Sequence, residues 1–398
     1  MRFADNRNKI GKYIPAVVFL IFIYGMALWF IFSPKPDYSS SEKRYLQKFP
    51  EVTAEKLLSG DFGSEFETFF ADRFPQRNTW VGLNAYTALA EGNNGASGVY
   101  NCKNGYLINK PVSTENNLDK NIGAVADFAK SIDTPTTVML VPSTGYIVDD
   151  VLPTFHDKYN DDEDISKISS TLSKDKIGFV DLRERFKSEY KNGSQIYYKT
   201  DHHWTTKGAY TGYQELCKAL GITPIDDSTL KKDSYPDFYG TTYSSSGFWL
   251  TPPDNIEIWN NPKNSDRNIS VKITEGANIK TSGSMYFTDH LKEDDKYPLF
   301  IDGNHALTEI TNTNAKNGTI LLIKDSFSHS LAPFLAENYS KVVLVDLRYY
   351  KESVSDLVTT YNPEQVVVLY GIDNLATDTD IVWPFLCNSL IRYILHSP

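Results

Sequence analysis

The apolar positions of this chain follow three rhythms, and each predicts a different kind of element. Tyr13 to Phe32 is an almost unbroken apolar run, with IPAVVFLIFIYGMALWFIF at its heart. At about 1.5 Å per residue such a run crosses the roughly 30 Å hydrocarbon core of a bilayer. Glu42 to Phe74 changes to helical spacing, with Phe62, Phe66, Phe69, Phe70 and Phe74 recurring every three or four positions. A Gly/Asn-rich loop over 92–98 follows, and then Val99 to Ile108 predicts a hairpin around Lys103-Asn104-Gly105. From there, short continuous apolar runs alternate with helical stripes. Thr137–Val141, Lys176–Asp181, Thr319–Ile323, Val342–Asp346 and Gln365–Leu369 are strands of the kind a parallel sheet buries on both faces. Between them lie a helix over roughly Asn116–Ser131 and a stripe of Tyr210, Tyr213, Leu216, Cys217 and Leu220, with Thr205 or Thr206 as its N-cap. The expected fold is α/β, doubly wound on a central, mostly parallel sheet.

These rhythms divide the chain into 1–12, a cytoplasmic N-terminus; 13–33, a transmembrane anchor; 34–95, a Pro/Ser linker and juxtamembrane helical segment; and 96–398, the globular domain. Within the last, about 221–317 is richer in Pro, Asp, Asn, Ser and Gly, with weaker periodicity, and is expected to be an insertion that walls a cleft. Arg2, Arg7, Lys9 and Lys12 precede the span, so the positive-inside rule places the N-terminus in the cytoplasm and everything after Ser33 outside. A cleaved signal peptide is the competing reading. The span is long for such a signal, however, and Ser33-Pro34-Lys35-Pro36 offers no small-x-small cleavage site. An uncleaved single-pass anchor in the cell membrane is therefore expected.

With 398 residues, 41% of them hydrophobic, the chain has ample material for a large core. The net charge of -10 argues against nucleic acid, which needs a basic face. The 25 Tyr and 22 Phe suit either an aromatic core or the stacking of sugar rings. Cys102, Cys217 and Cys387 are too few and too scattered for a disulfide framework or a zinc cluster, so buried free thiols are expected.

The chemistry concentrates in two segments. Thr200-Asp201-His202-His203-Trp204-Thr205 sets a carboxylate two positions before an imidazole at a helix start, and Lys324-Asp325-Ser326-Phe327 ends an apolar strand in a serine. A serine hydroxyl needs an imidazole to take its proton and a carboxylate to fix the ring's tautomer. Ser326, His203 and Asp201 supply the three groups. Taken alone, Ser326 is also a good helix cap, and the two histidines also read as surface residues or metal ligands. Adjacent histidines in an extended segment point to opposite sides, which speaks against one shared ion. His203 is then the expected base, His202 a residue of the cleft rim, and Trp204 packing for the loop. His329 is a rival base that a helix would carry one turn away from the hydroxyl. No metal and no cofactor are implied.

These residues resemble the SGNH hydrolase superfamily, in its alginate O-acetyltransferase branch, and the DHHW proteins named for the tetrapeptide Asp201-His202-His203-Trp204. The likeness runs from about Val99 to the C-terminus. It implies a three-layer, flavodoxin-like fold in circularly permuted motif order, because the acid and histidine block precedes the serine block. Lys324 stands where the family's Gly-Asp-Ser block has glycine. The single residue between Asp201 and His203, rather than two, matches the acetyltransferase branch. By the resemblance Ser326 is the nucleophile, His203 the base and Asp201 its orienter. The family's oxyanion blocks fall near Asp346–Tyr350 and Tyr370–Asn374, which makes Arg348, Tyr370 and Asn374 donor candidates beside the Ser326 amide. Asn304, within Asp302-Gly303-Asn304-His305, is a further polar candidate for the cleft. The implied function is O-acetyl transfer through an acetylated Ser326 to a hydroxyl of a cell-surface polysaccharide or exopolysaccharide. The implied acetyl donor is a multipass membrane acyltransferase. A carbohydrate esterase with the same triad and a non-catalytic polysaccharide-binding scaffold are the alternatives.

Overall fold

The structure, a computed structural model, describes residues 2–112 and 117–386. Cys387 lies outside the described residues. The chain forms two compact units, residues 1–87 and 88–398. The short strand Gly95–Ala96 pairs with Val99–Asn101, which in turn pairs with Leu107–Asn109, so the expected hairpin is part of the second unit.

In the first unit a helix spans Arg2–Phe32, and its stretch Lys12–Phe32 is apolar and long enough to cross a membrane. A second helix, Asp61–Asp72, carries the phenylalanine stripe and ends at Arg73. The buried Arg73 guanidinium donates to the carbonyl oxygens of Lys35, Pro36 and Gln47 and pairs with Asp37. A planar donor fork of this kind ties the two segments in one geometry.

The second unit is built on an eight-stranded sheet. Its strands are β1 (Thr136–Val141), β2 (Gly178–Asp181), β3 (Ile269–Glu275), β4 (Asn278–Ser282), β5 (Leu307–Asn312), β6 (Asn317–Lys324), β7 (Tyr339–Val345) and β8 (Gln365–Gly371). Across the sheet they run β4-β3-β5-β7-β6-β8-β1-β2. The five from β7 to β2 are parallel, and β3, β4 and β5 add antiparallel to the β7 edge. Numbered from β6, the parallel strands read 2-1-3-4-5, the flavodoxin-like order, but the chain enters at the fourth of them. The sheet is thus a circular permutation of that fold.

Alternate residues of each strand face alternate layers. On one side α3 (Thr206–Leu220) and α4 (Ser328–Asn338) cover Met139, Leu322 and Leu344. On the other side α1 (Leu118–Ser131), α2 (Asp161–Lys174) and α5 (Val354–Tyr361) cover Val138, Leu321 and Val343. Segment 221–317 does more than wall a cleft. It forms an antiparallel pair, Lys231–Phe238 with Asp254–Asn260, and supplies β3, β4 and β5 to the central sheet. Its weak periodicity is the two-residue alternation of half-buried strands, as in Ile269, Val271 and Ile273 facing in with polar residues between them.

Leu322 is fully buried in the middle strand. Leu322→Ala should lower unfolding free energy by about 3 kcal/mol, from lost transfer energy plus a residual cavity, as read by urea denaturation of the folded protein. A loss under about 1 kcal/mol would contradict this packing.

Candidate active site

Parallel sheets present their binding crevice at the carboxyl ends of strands, where the strand order reverses. Here the reversal lies between β6 and β8, and the chemistry sits there. At the end of β6 the chain turns through Asp325 and Ser326 into α4. Asp325 is buried and holds that turn. It accepts from the Phe327 amide at 3.0 Å, the Gly371 amide at 2.8 Å and Asn374 Nδ2 at 2.7 Å, and so joins the ends of β6 and β8.

The loop before α3 brings the acid and base. Thr205 caps the helix by accepting from the Gly208 amide at 3.1 Å. The buried Asp254 carboxylate accepts from the Lys199 and Thr200 amides, Thr200 Oγ1 and Gln195 Nε2, all within 2.9 Å, which fixes the entry to the loop. Asp201 Oδ1 then accepts from the His203 amide at 2.8 Å and from His203 Nδ1 at 2.5 Å. Asp201 Oδ2 accepts from the Thr241 amide at 2.7 Å. On the far side of the ring, His203 Nε2 meets Ser326 Oγ at 2.7 Å. Asp201, His203 and Ser326 form one continuous hydrogen-bonded chain, and all three are buried. Burial alone raises the Asp201 carboxyl, but the neighbouring His203 and His202 rings and their hydrogen bonds hold it well below the usual carboxylate range. It is an ionised orienter for the imidazole.

Two aromatic residues lock this chain. Tyr297 stacks on His203, with ring centroids 4.0 Å apart and planes 9° from parallel, and its hydroxyl donates to the Ser326 carbonyl oxygen at 3.2 Å. Trp204 Nε1 donates to the Phe327 carbonyl at 3.0 Å and to Ser330 Oγ at 2.9 Å, which pins the loop to α4. Gly240 is required beside them, since a Cβ there would lie 2.1 Å from the Asp201 Cβ.

The two histidines do not diverge as expected. Residues 200–203 bend rather than run extended, so the His202 and His203 rings lie together with centroids 3.8 Å apart. Asp201, His202 and His203 therefore bring their ligand-type atoms within 4.8 Å of one another. Both ring nitrogens of His203 are, however, engaged by Asp201 and Ser326, and His202 Nδ1 is paired with Thr241 Oγ1 at 2.7 Å. His329 faces elsewhere. Its Nε2 accepts from Lys324 Nζ at 2.8 Å, and Lys324 also pairs with buried Asp346 at 2.9 Å. Burial and then the Lys324 charge push His329 well down, leaving it a neutral acceptor.

The four donor candidates separate. Tyr370 lies in the core layer of α1 and α5, on the sheet face away from the crevice. It has this orientation because β8 alternates faces and Tyr370 shares the parity of Val366 and Val368. Arg348 is bound to Asp346 at 2.6 Å and to Asn304 Oδ1 at 2.9 Å, so those two residues serve each other. Asn374 lines the crevice, and its amide nitrogen uses one hydrogen on Asp325 and keeps another. Thr241, Tyr297, Asp254 and Asp325 belong to the site without having been singled out in the sequence.

The crevice beside Phe327 and His202 is walled by Asn109, Ser143, Asp373 and Asn374. Ser143 Oγ donates to Asp373 at 3.1 Å, and its amide donates to buried Asp161 at 2.7 Å. Burial, followed by the nearby Asp161 charge, pushes Asp373 up to about 7.

A family model described as DHHW protein matches residues 112–345. The fold is similar to that of a DHHW family protein from Eubacterium siraeum, at TM-score 0.60 and 18% identity over 72% of this chain and 94% of that one. It is also similar to Bacillus cereus PatB1 solved with a sulfonyl adduct, at TM-score 0.59 and 21% identity over 71% of this chain and 96% of that one. No curated protein matches by sequence.

A carboxyl whose folded pKa is raised binds its proton more tightly in the native state, so stability falls as pH rises from the unfolded value near 3.9 through about 7. Asp373→Asn removes that penalty. It should raise the thermal midpoint at pH 8 and raise it several-fold less at pH 4.5, as followed by circular dichroism. An equal shift at both values would show that Asp373 is not held protonated.

Proposed function

The chain belongs to the DHHW protein family, and from that premise we propose that it is a serine O-acetyltransferase, anchored in the cell membrane by its N-terminal helix and working on the extracytoplasmic side. It moves an acetyl group through Ser326 to a hydroxyl of a cell-surface polysaccharide or exopolysaccharide. The observation that carries this reading is the Asp201–His203–Ser326 hydrogen-bonded chain at the carboxyl end of the central strands.

In the first half, Ser326 Oγ attacks the acetyl carbonyl of the donor while His203 Nε2 takes the hydroxyl proton. Asp201, accepting from Nδ1, keeps Nε2 free to do so and stabilises the imidazolium that forms. The Ser326 amide and the second Asn374 amide hydrogen are the donors this reading assigns to the developing oxyanion. Collapse breaks the bond to the leaving group, which takes the proton from His203, and leaves Ser326 acetylated. In the second half, a sugar hydroxyl attacks the acetyl carbonyl and gives its proton to His203. The Ser326–acetyl bond breaks, and Oγ recovers the proton.

Two observations favour this over hydrolysis, and a third favours an enzyme over mere binding. Ser326 is only 8% exposed, and Tyr297 and Phe327 flank the imidazole, so bulk water has little access to an acyl-enzyme. The one-residue spacing of Asp201 and His203 is the form of the acetyltransferase branch that the sequence resembles. PatB1 carries a sulfonyl adduct; sulfonyl reagents capture activated nucleophiles, and Ser326 is the corresponding group to test here. Acetyl-coenzyme A stays in the cytoplasm, so the donor is a multipass membrane acyltransferase that delivers the acetyl group across the bilayer.

The full-length protein should release 4-nitrophenol from 4-nitrophenyl acetate and take up one sulfonyl group per chain from a sulfonyl fluoride. Ser326→Ala should lose both, and Asp201→Asn should slow turnover by on the order of 10⁴-fold. Retention of the rate in Ser326→Ala would end the proposal. With oligosaccharide acceptors, acetylated sugar marks a transferase, free acetate alone an esterase, and binding without turnover a scaffold.

Tyr297→Leu removes both the stack on the imidazolium and the bond to Ser326. It should cost about 10-fold in kcat, in line with the ~0.5–2 kcal/mol of a cation over an aromatic face. Tyr297→Phe retains the stack and should recover most of that loss; equal defects in both variants would assign the effect to the hydroxyl.

A further inference from the structure

The first unit exposes a set of large apolar side chains for which the catalytic reading has no use. Leu58 is 90% exposed, Phe70 43% and Phe66 40%, and Phe49 and Leu57 are exposed beside them. On the helix Asp61–Asp72, Phe62, Phe66, Phe69 and Phe70 fall on one stripe, with Ser64 and Glu67 opposite. Phe49 packs edge-on against that stripe, 5.4 Å from Phe69 and 6.0 Å from Phe66.

The position of this face relative to the N-terminal helix is fixed. Phe30, in the last turn of Lys12–Phe32, lies 4.7 Å from the Phe70 ring and 6.2 Å from the Phe69 ring. The Arg73 guanidinium, bonded to the carbonyls of Lys35 and Pro36, clamps the chain leaving the span to the end of the aromatic helix. Lys35 folds back with Nζ 3.9 Å from the Phe30 ring centroid, which puts a charged head level with this aromatic cluster, as suits the polar boundary and not the hydrocarbon. Phe30 is two residues from Phe32, about 3 Å along the axis. Whatever depth the end of the span occupies, the Phe69–Phe70 end of the phenylalanine face occupies too, with Phe66 one turn away.

We propose that the aromatic face of the helix Asp61–Asp72, with Leu57 and Leu58 beside it, lies in the lipid headgroup layer of the membrane that the N-terminal helix enters. The inference rests on reading Lys12–Phe32 as a retained span. The occupant is lipid, held by apolar insertion and not by charge, because the polar positions of the helix include Asp61, Glu65 and Glu67 and the nearby Lys56 is paired with Glu65 at 2.8 Å. A helix seated in this way gives the anchor a second attachment and fixes the direction in which the chain leaves the bilayer.

The test uses full-length protein in phosphatidylcholine vesicles with the photo-crosslinker benzoylphenylalanine in place of Phe66, Phe70, Ser64 or Ile21, and lipid adducts read by mass. The expected result is lipid adducts at 66, 70 and 21 in several-fold higher yield than at 64, unchanged by added salt. Adducts at 21 alone overturn the inference and leave the anchor intact. No adduct at 21 overturns the span itself, and the inference with it. Crosslinks from 66 and 70 to protein instead of lipid assign the face to a protein partner and also overturn it. Two sites on the same stripe guard against a misfolded variant, and intact 4-nitrophenyl acetate turnover checks that the catalytic unit is folded.

Discussion

An ionised carboxylate removed from water costs several kcal/mol unless its lone pairs are satisfied, and in this protein the site is organised around that requirement. Asp201 is 1% exposed and accepts from the His203 amide, His203 Nδ1, the Thr241 amide and Thr241 Oγ1. Those bonds give the imidazole its tautomer and join two loops separated by 40 residues. Asp254 anchors the same loop one residue earlier, and Tyr297 and Trp204 tie it to the serine turn. Satisfying one buried charge thus positions the base, and the base positions the nucleophile's proton.

Much of this was legible because its signals are local. Continuous apolar runs marked the five parallel strands, and Thr205 before a helical stripe marked the start of α3. An acid and a histidine two positions apart, with a serine at a strand end, marked the triad. What escaped depends on contacts between distant residues. Tyr297 and Thr241 open short helices of three and six residues, too brief to show a pattern, and only the folded chain brings them to His203 and Asp201. The strand β3 alternates polar and apolar residues because one face is exposed, and β4 is exposed along most of its length, so both read as loop. Tyr370 and Arg348 are candidates because the family's oxyanion blocks fall near Asp346–Tyr350 and Tyr370–Asn374. Side-chain parity then sent Tyr370 into the opposite core layer, and Asp346 captured Arg348.

The position where the family's compact motif has glycine shows how a departure can be accommodated. Lys324 is buried beneath the serine turn, and burial lowers its affinity for a proton while Asp346 opposes that shift. Asp346 and the His329 ring receive its donors, and Asp346 in turn holds Arg348. A residue that would otherwise be an unpaired buried cation is the centre of a polar network under α4. The same network removes His329 from competition as a base, since its Nε2 is occupied.

The permuted strand order has a consequence for how the site is held together. Among the described residues, β1 pairs with β2 and β8, and β8 is the last strand in sequence. Residues 365–371 are the strand that joins β1 and β2 to the serine strand. The loop with Asp201 and His203 is tied to the serine turn by Trp204 and Tyr297, through contacts that do not involve β8. β8 and the residues that follow it complete the serine turn, because Asp325 takes two of its three bonds from Gly371 and Asn374.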